Sequence, residues 1–343
     1  MSKHRFSYKW NLSDGYPQSN GLKVFGTFIC GGGSTMGYKL AGFEHLGGVE
    51  IDPEVADVYK TNHNPKYLFV QDIRDFANRL DFPEDLYNLD ILDGSPPCSS
   101  FSMAGNREKD WGKTKVFREG QAEQRLDDLF FDYIRLAKKL QPKVVIAENV
   151  KGLIQGNAKA YVHRIKKEFE AAGYKVQLFL LNAASMGVPQ KRERVFFICQ
   201  RNDLNFPKLK LEFIEDAIPL GIALKEYENI YPEKLTEQQN HYWTLCNEGE
   251  SFSKYHPKKS LFGQNKVSSK DVCGTLTTKM DAYFHWNKKR YLQNEEWKII
   301  GAYPLDYNFK KIEPKYLIGM SVPPVMTAQV ATEIYNQWFN KTA

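Results

Sequence analysis

From Lys23 to Gln200 the chain alternates short apolar, β-branched runs with stretches of helical period, and that rhythm leaves few folds open to it. The runs are KVFGTFI (23–29), GGVEI (47–51), LDILD (89–93), KVVIA (143–147), KVQLFLL (175–181) and RVFFICQ (194–200). Helical stretches lie between them. DPEVADVYKTN follows Ile51, and DDLFFDYIRLAKKL (127–140) sets Leu129, Tyr133, Leu136 and Leu140 on one face. NAKAYVHRIKKEFEAAG (157–173) opens at an Asn cap and ends at Gly173, with Val162, Ile165 and Phe169 aligned. Such alternation predicts an α/β fold with a parallel or mostly parallel sheet.

The rhythm degrades after Gln200. Residues 201–285 are irregular and rich in Lys, Asn, Ser and aromatics, as in SFSKYHPKKSLFGQNKVSSKD, and read as a small second domain. Residues 1–22 form an N-terminal extension, 23–200 the large domain, and 286–343 a segment returning to it. In that segment VPPVMTAQVATEIYNQWF regains helical period with Val330, Ile334 and Trp338 on one stripe. A length of 343 residues suits one large domain with a smaller one attached, and 42% hydrophobic content suits a real core. There is no apolar run of membrane-spanning length and no signal-peptide core at the N-terminus, so a soluble, cytoplasmic protein without a membrane partner is expected. Cys30, Cys98, Cys199, Cys246 and Cys273 form no C-x-x-C pair, which indicates neither a disulfide framework nor a metal site. The net charge of +6 permits a polyanionic partner without requiring one.

Four places along the large domain carry chemistry. The first strand–helix turn is TFICGGGSTMG, where glycines let backbone approach a ligand. Glu50 ends the next run and can accept from two ribose hydroxyls, and Asp72 in QDIRD sits at the third strand edge. Together they indicate an adenosine-type cofactor, with a dinucleotide and S-adenosylmethionine both open. GSPPCSSFSMAG follows the fourth strand and holds Cys98 behind two prolines; it is either a nucleophile or an inert small apolar residue. AENVKG ends the fifth strand with Glu148, an acid if its carboxyl stays protonated, or a carboxylate satisfying a helix N-terminus. VPQKRERVFFI places Gln190, Arg192 and Arg194 on one strand face by alternation, where inward arginines need an anion or carbonyl partner, unless this is an exposed edge strand with basic decoration.

In this order the segments resemble the C5-cytosine DNA methyltransferase family. TFICGGGSTMGYKLAGF is similar to its adenosylmethionine loop, GSPPCSSFS to its nucleophile motif, ENV to its acid motif and QKRERV to its arginine motif. GTLTT (274–278) and IGMSVPP (318–324) are similar to its two closing motifs. The resemblance runs from about residue 23 to the C-terminus. It implies a Rossmann-like, adenosylmethionine-dependent methyltransferase fold, with the target-recognition domain at 201–285. It further implies that Cys98 attacks C6 of a flipped cytosine and that Glu148 protonates or hydrogen-bonds N3. Arg194 holds O2, Arg192 orders the pocket, and C5 takes a methyl group from S-adenosyl-L-methionine. Phe28, Gly32, Gly33, Glu50, Ile51, Asp72, Ile73, Pro97, Leu129 and Ser321 match the family's cofactor contacts. Residues 99–121 match its catalytic loop, with Ser99, Ser100 and Ser102 expected at the DNA. Lys254, Lys258, Lys259, Gln264, Asn265 and Lys266 are candidates for the major groove.

Three positions depart from the family pattern. Cys30 replaces a glycine of the cofactor loop, Ser99 the glutamine after the nucleophile, and Met320 an asparagine in the last motif. The implied partner is double-stranded DNA, with a cognate restriction endonuclease as a functional rather than physical partner, in a monomeric prokaryotic or phage enzyme. Two alternatives stand beside this one. The same scaffold could act on tRNA, for which the cysteine-phenylalanine-threonine motif is missing. A non-catalytic DNA-binding relative would be expected to lack Cys98 or Glu148.

Overall fold

Apolar runs become strands. The computed structural model describes residues 4–97, 114–115, 124–125, 128–155, 158–227, 235–261 and 263–340. In the first part of the chain lie β1 (Lys23–Thr27), β2 (Glu44–Glu50), β3 (Tyr67–Val70) and β4 (Ile91–Gly94). β5 (Thr114–Lys115) and β6 (Gln124–Arg125) form a short antiparallel pair. β7 (Val144–Val150), β8 (Tyr174–Asn182) and β9 (Glu193–Arg201) complete a seven-stranded sheet in the order β3-β2-β1-β4-β7-β9-β8. β1 is parallel to β2 and β4, β2 to β3, and β4 to β7, whereas β9 runs antiparallel to β7. The fold is therefore α/β with a mostly parallel sheet. Central strands buried on both faces read as unbroken apolar runs, and Val24, Phe25, Ile91, Leu92, Val144 and Val145 are fully buried.

Helices α1 (Gly33–Leu40), α2 (Pro53–His63), α3 (Ile73–Asn78), α4 (Leu129–Leu140) and α5 (Lys159–Ala171) join the strands. The α2 start follows its sequence: Asp52 accepts from the N–H groups of Glu54 and Val55, and Pro53 has no N–H that would need an acceptor. All four residues of the expected α4 stripe are buried, and Phe130 packs edge-on against Phe169 and Phe197. The start of α5 differs from expectation. Ala158 precedes its first residue and offers no side-chain cap, while Asn157 lies outside the described residues.

Two compact units divide the chain. The sheet unit comprises Tyr16–Leu181, Glu193–Glu212 and Val330–Ala343; the other comprises Met1–Gly15, Asn182–Arg192 and Phe213–Gln329. These divisions cross the ones expected at 201 and 285, for identifiable reasons. Gln177 on the edge strand β8 exchanges hydrogen bonds with the backbone N–H and carbonyl of Leu209, at 2.9 and 3.0 Å, so residues just past 201 cover the sheet edge. Residues 1–15 join the second unit because Trp10 donates to the Ala302 carbonyl (3.0 Å). In the same way the N–H groups of Leu12 and Ser13 donate to Asp306. The segment from 286 to 329 stays with that unit as well.

The second unit contains α6 (Leu220–Ala223), α7 (Glu237–Leu245), the two-residue parallel pair β10 (Asn265–Lys266) and β11 (Tyr283–Phe284), α8 (Asn294–Ile300) and α9 (Pro314–Met320). Its irregular middle is held by aromatic packing, with Phe252 against Phe284 at 4.5 Å and against Tyr242 at 6.2 Å. A fully buried Arg290–Glu296 pair spans 2.6 and 2.9 Å. α10 (Pro324–Ile334) runs into a π-helical turn, Tyr335–Phe339. There Trp338 stacks on Phe206 and donates to the Pro207 carbonyl, contacts within the sheet unit. Among the described residues no helix is long and apolar enough to cross a membrane, and no cluster of metal-ligating side chains occurs.

Candidate active site

The sheet order reverses between β1 and β4, and a crevice outside the carboxyl ends of strands opens at such a point. β1 leaves the sheet through Phe28 (φ 54°) and Cys30 (φ 47°), two non-glycine residues in the left-handed region, a strain that concentrates at ligand sites. Gly32 (φ 77°) is the N-cap of α1 and carries no side-chain cap, so the first N–H groups of the helix, beginning at Gly33, form an anion-favouring start. Glycine is required at 32 for a second reason. A Cβ there would lie 2.2 Å from Nε2 of His63, which donates to the Gly31 carbonyl at 3.3 Å. Burial lowers the His63 pKa to about 3, so a neutral imidazole props the turn from behind.

Glu50 ends β2 beside this turn. Its Oε2 accepts from the Cys30 N–H (2.9 Å) and its Oε1 from the N–H groups of Ile51 and Asp52 (2.9 and 3.0 Å). Burial raises its pKa, with the three backbone donors opposing. Among the described residues Oε2 accepts from the Cys30 N–H alone, which leaves it capacity for a second donor. Asp72 caps α3 and holds Arg74 through Nε and Nη2 at 3.0 and 2.8 Å. Burial would raise its pKa, but the Arg74 bonds outweigh it and hold the carboxyl below its ordinary value. Ile73 is buried behind Asp72, Leu129 is buried at the start of α4, and Ile51 and Pro97 are half-buried.

Across the switch point, β7 delivers Glu148, 8% exposed, and antiparallel β9 delivers Arg194 in the register Val150↔Arg194. Arg194 Nε lies 2.8 Å from Glu148 Oε1, and Nη1 donates to the Glu193 carbonyl. Burial lowers the guanidinium's proton affinity, and the charge of Glu148 restores part of it. The next residue, Asn149, donates from Nδ2 to the Pro96 carbonyl at 3.0 Å, pinning the turn just before Cys98. Cys98 itself, with Ser99, Ser100 and Ser102, lies outside the described residues, as do residues 99–121 apart from β5.

Arginine alternation is corrected by the structure. β9 begins at Glu193, so Gln190 and Arg192 precede the strand and belong to the second unit. Arg192 is buried there and donates to the carbonyls of Leu276 (2.7 Å) and Gly319 (3.2 Å). Gln190 donates to the Ile300 carbonyl and accepts from the Leu276 N–H. Arg192 thus fastens GTLTT to IGMSVPP, two segments so close that a Cβ on Gly319 would lie 2.3 Å from the Thr277 carbonyl oxygen. Ser321 is in the same unit. Its hydroxyl accepts from Tyr303 (2.6 Å) and donates to the Leu317 carbonyl (2.9 Å).

A family profile for C-5 cytosine-specific DNA methylases matches residues 22–336. The chain belongs to that family. The type II methyltransferase M1.HphI of Haemophilus parahaemolyticus is 28% identical over 343 residues, covering 91% of this chain and 86% of that one. M.Sau96I of Staphylococcus aureus is 36% identical over 351 residues, covering 93% and 78%. A mutant of Spodoptera frugiperda DNMT2 shares the fold, with a TM-score of 0.60 at 18% identity over 92% of this chain and 99% of its own. The chain is therefore an enzyme of the DNA cytosine-5 methyltransferase class.

Among the methyltransferase's candidate DNA contacts, the structure separates exposed from buried. Lys254, Lys258 and Lys259 are exposed, Lys254 pairing with Glu250. Asn265 is half-buried in β10. Gln264 and Lys266 are buried and bonded inward. Gln264 donates to Asp281 (2.7 Å), and Lys266 donates to the Trp243 and Cys246 carbonyls with its ammonium 3.7 Å from the Trp243 ring. Sequence reasoning missed His63, Asn149, Tyr38 and Asp93. For Asp93 the signal was present, a carboxylate inside the apolar run ILDG; for His63 and Tyr38 it was not, since each acts through a contact distant in sequence.

Proposed function

We propose that this enzyme transfers a methyl group from S-adenosyl-L-methionine to C5 of a flipped cytosine in duplex DNA through a covalent adduct between Cys98 and C6. The observation that carries this reading is the buried Glu148–Arg194 pair at 2.8 Å, set at the carboxyl end of β7 beside the β1/β4 switch point. The cofactor's fit is supported by three features of the sheet unit. These are the uncapped start of α1, the left-handed turn before it, and the open acceptor site on Glu50, which suits a ribose hydroxyl. Phe28, Gly32, Gly33, Glu50, Ile51, Asp72, Ile73, Pro97 and Leu129 would hold it.

The Cys98 thiolate adds to C6, its electron pair forming the S–C bond and moving ring density to C5. Glu148 holds a proton at N3, which neutralises the charge developing in the ring. Arg194 donates to O2 and keeps Glu148 oriented, a dual task suited to a guanidinium with five donors. When bound, S-adenosylmethionine supplies an electrophilic methyl group at C5. Loss of the C5 proton then expels Cys98 and restores the ring. Expression in a host lacking cytosine methylation, followed by bisulfite sequencing, tests the reading: protected cytosines in one sequence context are expected. Unprotected DNA from cells making folded protein would contradict it. The type II relatives support a place as the modification half of a restriction system.

A further inference from the structure

Asp93 is an acid to which the reaction above gives no part. It lies in β4, 7% exposed, in register with Gly26 of β1 and Ile146 of β7. Residues paired across parallel strands project to one face, and alternation carries that face from Ile146 to Glu148. Asp93 therefore sits on the face of Glu148, one layer deeper in the sheet. Its side chain is gripped from α1: the Tyr38 hydroxyl donates to Oδ1 at 3.0 Å, and the Ser34 side chain bonds the same carboxyl. Thr27 at the end of β1 donates to the Asp93 backbone carbonyl at 3.3 Å.

Ser34 and Tyr38 stand one turn apart on the helix that starts directly from Gly32. Asp93 stands five positions before Cys98, on a strand whose continuation Asn149 pins at Pro96. A single buried carboxyl thus joins the helix behind the cofactor turn to the strand that leads into the nucleophile segment. Water cannot substitute for these bonds at a site this enclosed, so a shift in the first turns of α1 is passed to β4 rather than absorbed.

We propose that Asp93 is a positioning residue that couples occupancy of the cofactor turn to DNA engagement at the end of β4. The inference rests on the methyl-transfer reading above. Coupling between two ligands is reciprocal and measurable as one factor. The full chain is used as wild type, Tyr38→Phe and Asp93→Asn, with S-adenosylhomocysteine and a duplex bearing the site that bisulfite sequencing reveals. Each ligand's affinity is measured with and without the other by calorimetry, and melting confirms folding.

Wild type is expected to show a coupling factor of about tenfold, within the usual range for linked sites. Tyr38→Phe should bring it close to one while leaving each separate affinity within about threefold, and should lower kcat more than it raises either KM. Asp93→Asn keeps an oxygen for Tyr38 and should fall between the two. A wild-type factor of one, or a Tyr38→Phe protein that keeps the wild-type factor, overturns the proposal. Should Asp93→Asn fail to fold, Tyr38→Phe decides alone. If no site is methylated at all, the methyl-transfer reading is what fails.

Discussion

Glu148 and Asp93 are two carboxyls on one face of the sheet with different partners, and each has its own consequence. Glu148 meets a guanidinium, so replacing it with glutamine keeps the shape and a donor–acceptor group but removes the proton it would hold at N3. Glu148→Gln should lower kcat for methyl transfer by about 10²–10⁴-fold with the KM for S-adenosylmethionine little changed, in a steady-state assay with labelled cofactor. An activity within a few-fold of wild type would remove Glu148 from its assigned role. Asp93 meets a tyrosine instead. Burial raises its pKa from 3.8 to about 7, the Tyr38 bond opposing and the charge of Glu148 adding to the rise. Between those values the folded protein holds a proton that the unfolded chain has released. Stability conferred by this site is therefore greatest at low pH and declines as pH climbs towards 7, by at most about 1.4 kcal/mol per unit. Asp93→Asn cannot titrate, so its stability relative to wild type should increase from pH 4.5 to 7. Denaturant unfolding across that range checks this; parallel curves would show that Asp93 does not titrate there.

At the scale of elements, the turn from β1 into α1 is stabilised by a hydrogen bond between His63 and Gly31, thirty-two positions apart. Gly32→Ala drives a methyl into the His63 ring and also sits at φ 77°, so it should destabilise the fold and weaken cofactor binding. Removing the ring relieves one of those two faults. Gly32→Ala with His63→Ala should therefore cost less than the sum of the single changes, by about 1 kcal/mol or more in a double-mutant cycle. Strict additivity would mean that the imidazole is not what excludes a side chain at 32. This contact marks the limit of what the sequence could tell. The central strands and α4 were legible because two-sided burial writes itself as apolar runs and a 3.6-residue stripe. The short β3 was placed only by its edge at QDIRD and given no bounds, since Tyr67, Leu68 and Phe69 are only half-buried and Val70 is exposed. The placement of Glu148 and Arg194 at strand ends was legible, but that of Arg192 was not: period-two counting ran it into a strand that begins one residue later. Its partners, the Leu276 and Gly319 carbonyls, lie too far along the chain for local pattern to reveal.

For the whole molecule, a net charge of +6 and exposed Lys254, Lys258 and Lys259 point to a phosphate-tracking contribution to DNA binding. Replacing these three with serine should weaken binding about equally for all sequences and flatten the dependence of log K on log salt. The slope should fall by about one for each phosphate that is no longer neutralised. Weakening confined to one target sequence, with an unchanged slope, would make these lysines readers of bases instead. Lys266→Ser should behave differently, lowering the melting temperature rather than the salt slope, because its ammonium is spent on two backbone carbonyls. Cys98 is where the whole mechanism can be tried most directly. Purified protein is mixed with S-adenosylmethionine and duplex DNA carrying 5-fluorocytosine at the methylated position, and the product is read by intact mass. A protein–DNA adduct that survives denaturation, maps to Cys98 and is absent in Cys98→Ala is the expected result; methyl transfer by Cys98→Ala, or a wild-type protein that methylates cytosine but forms no such adduct, would contradict it.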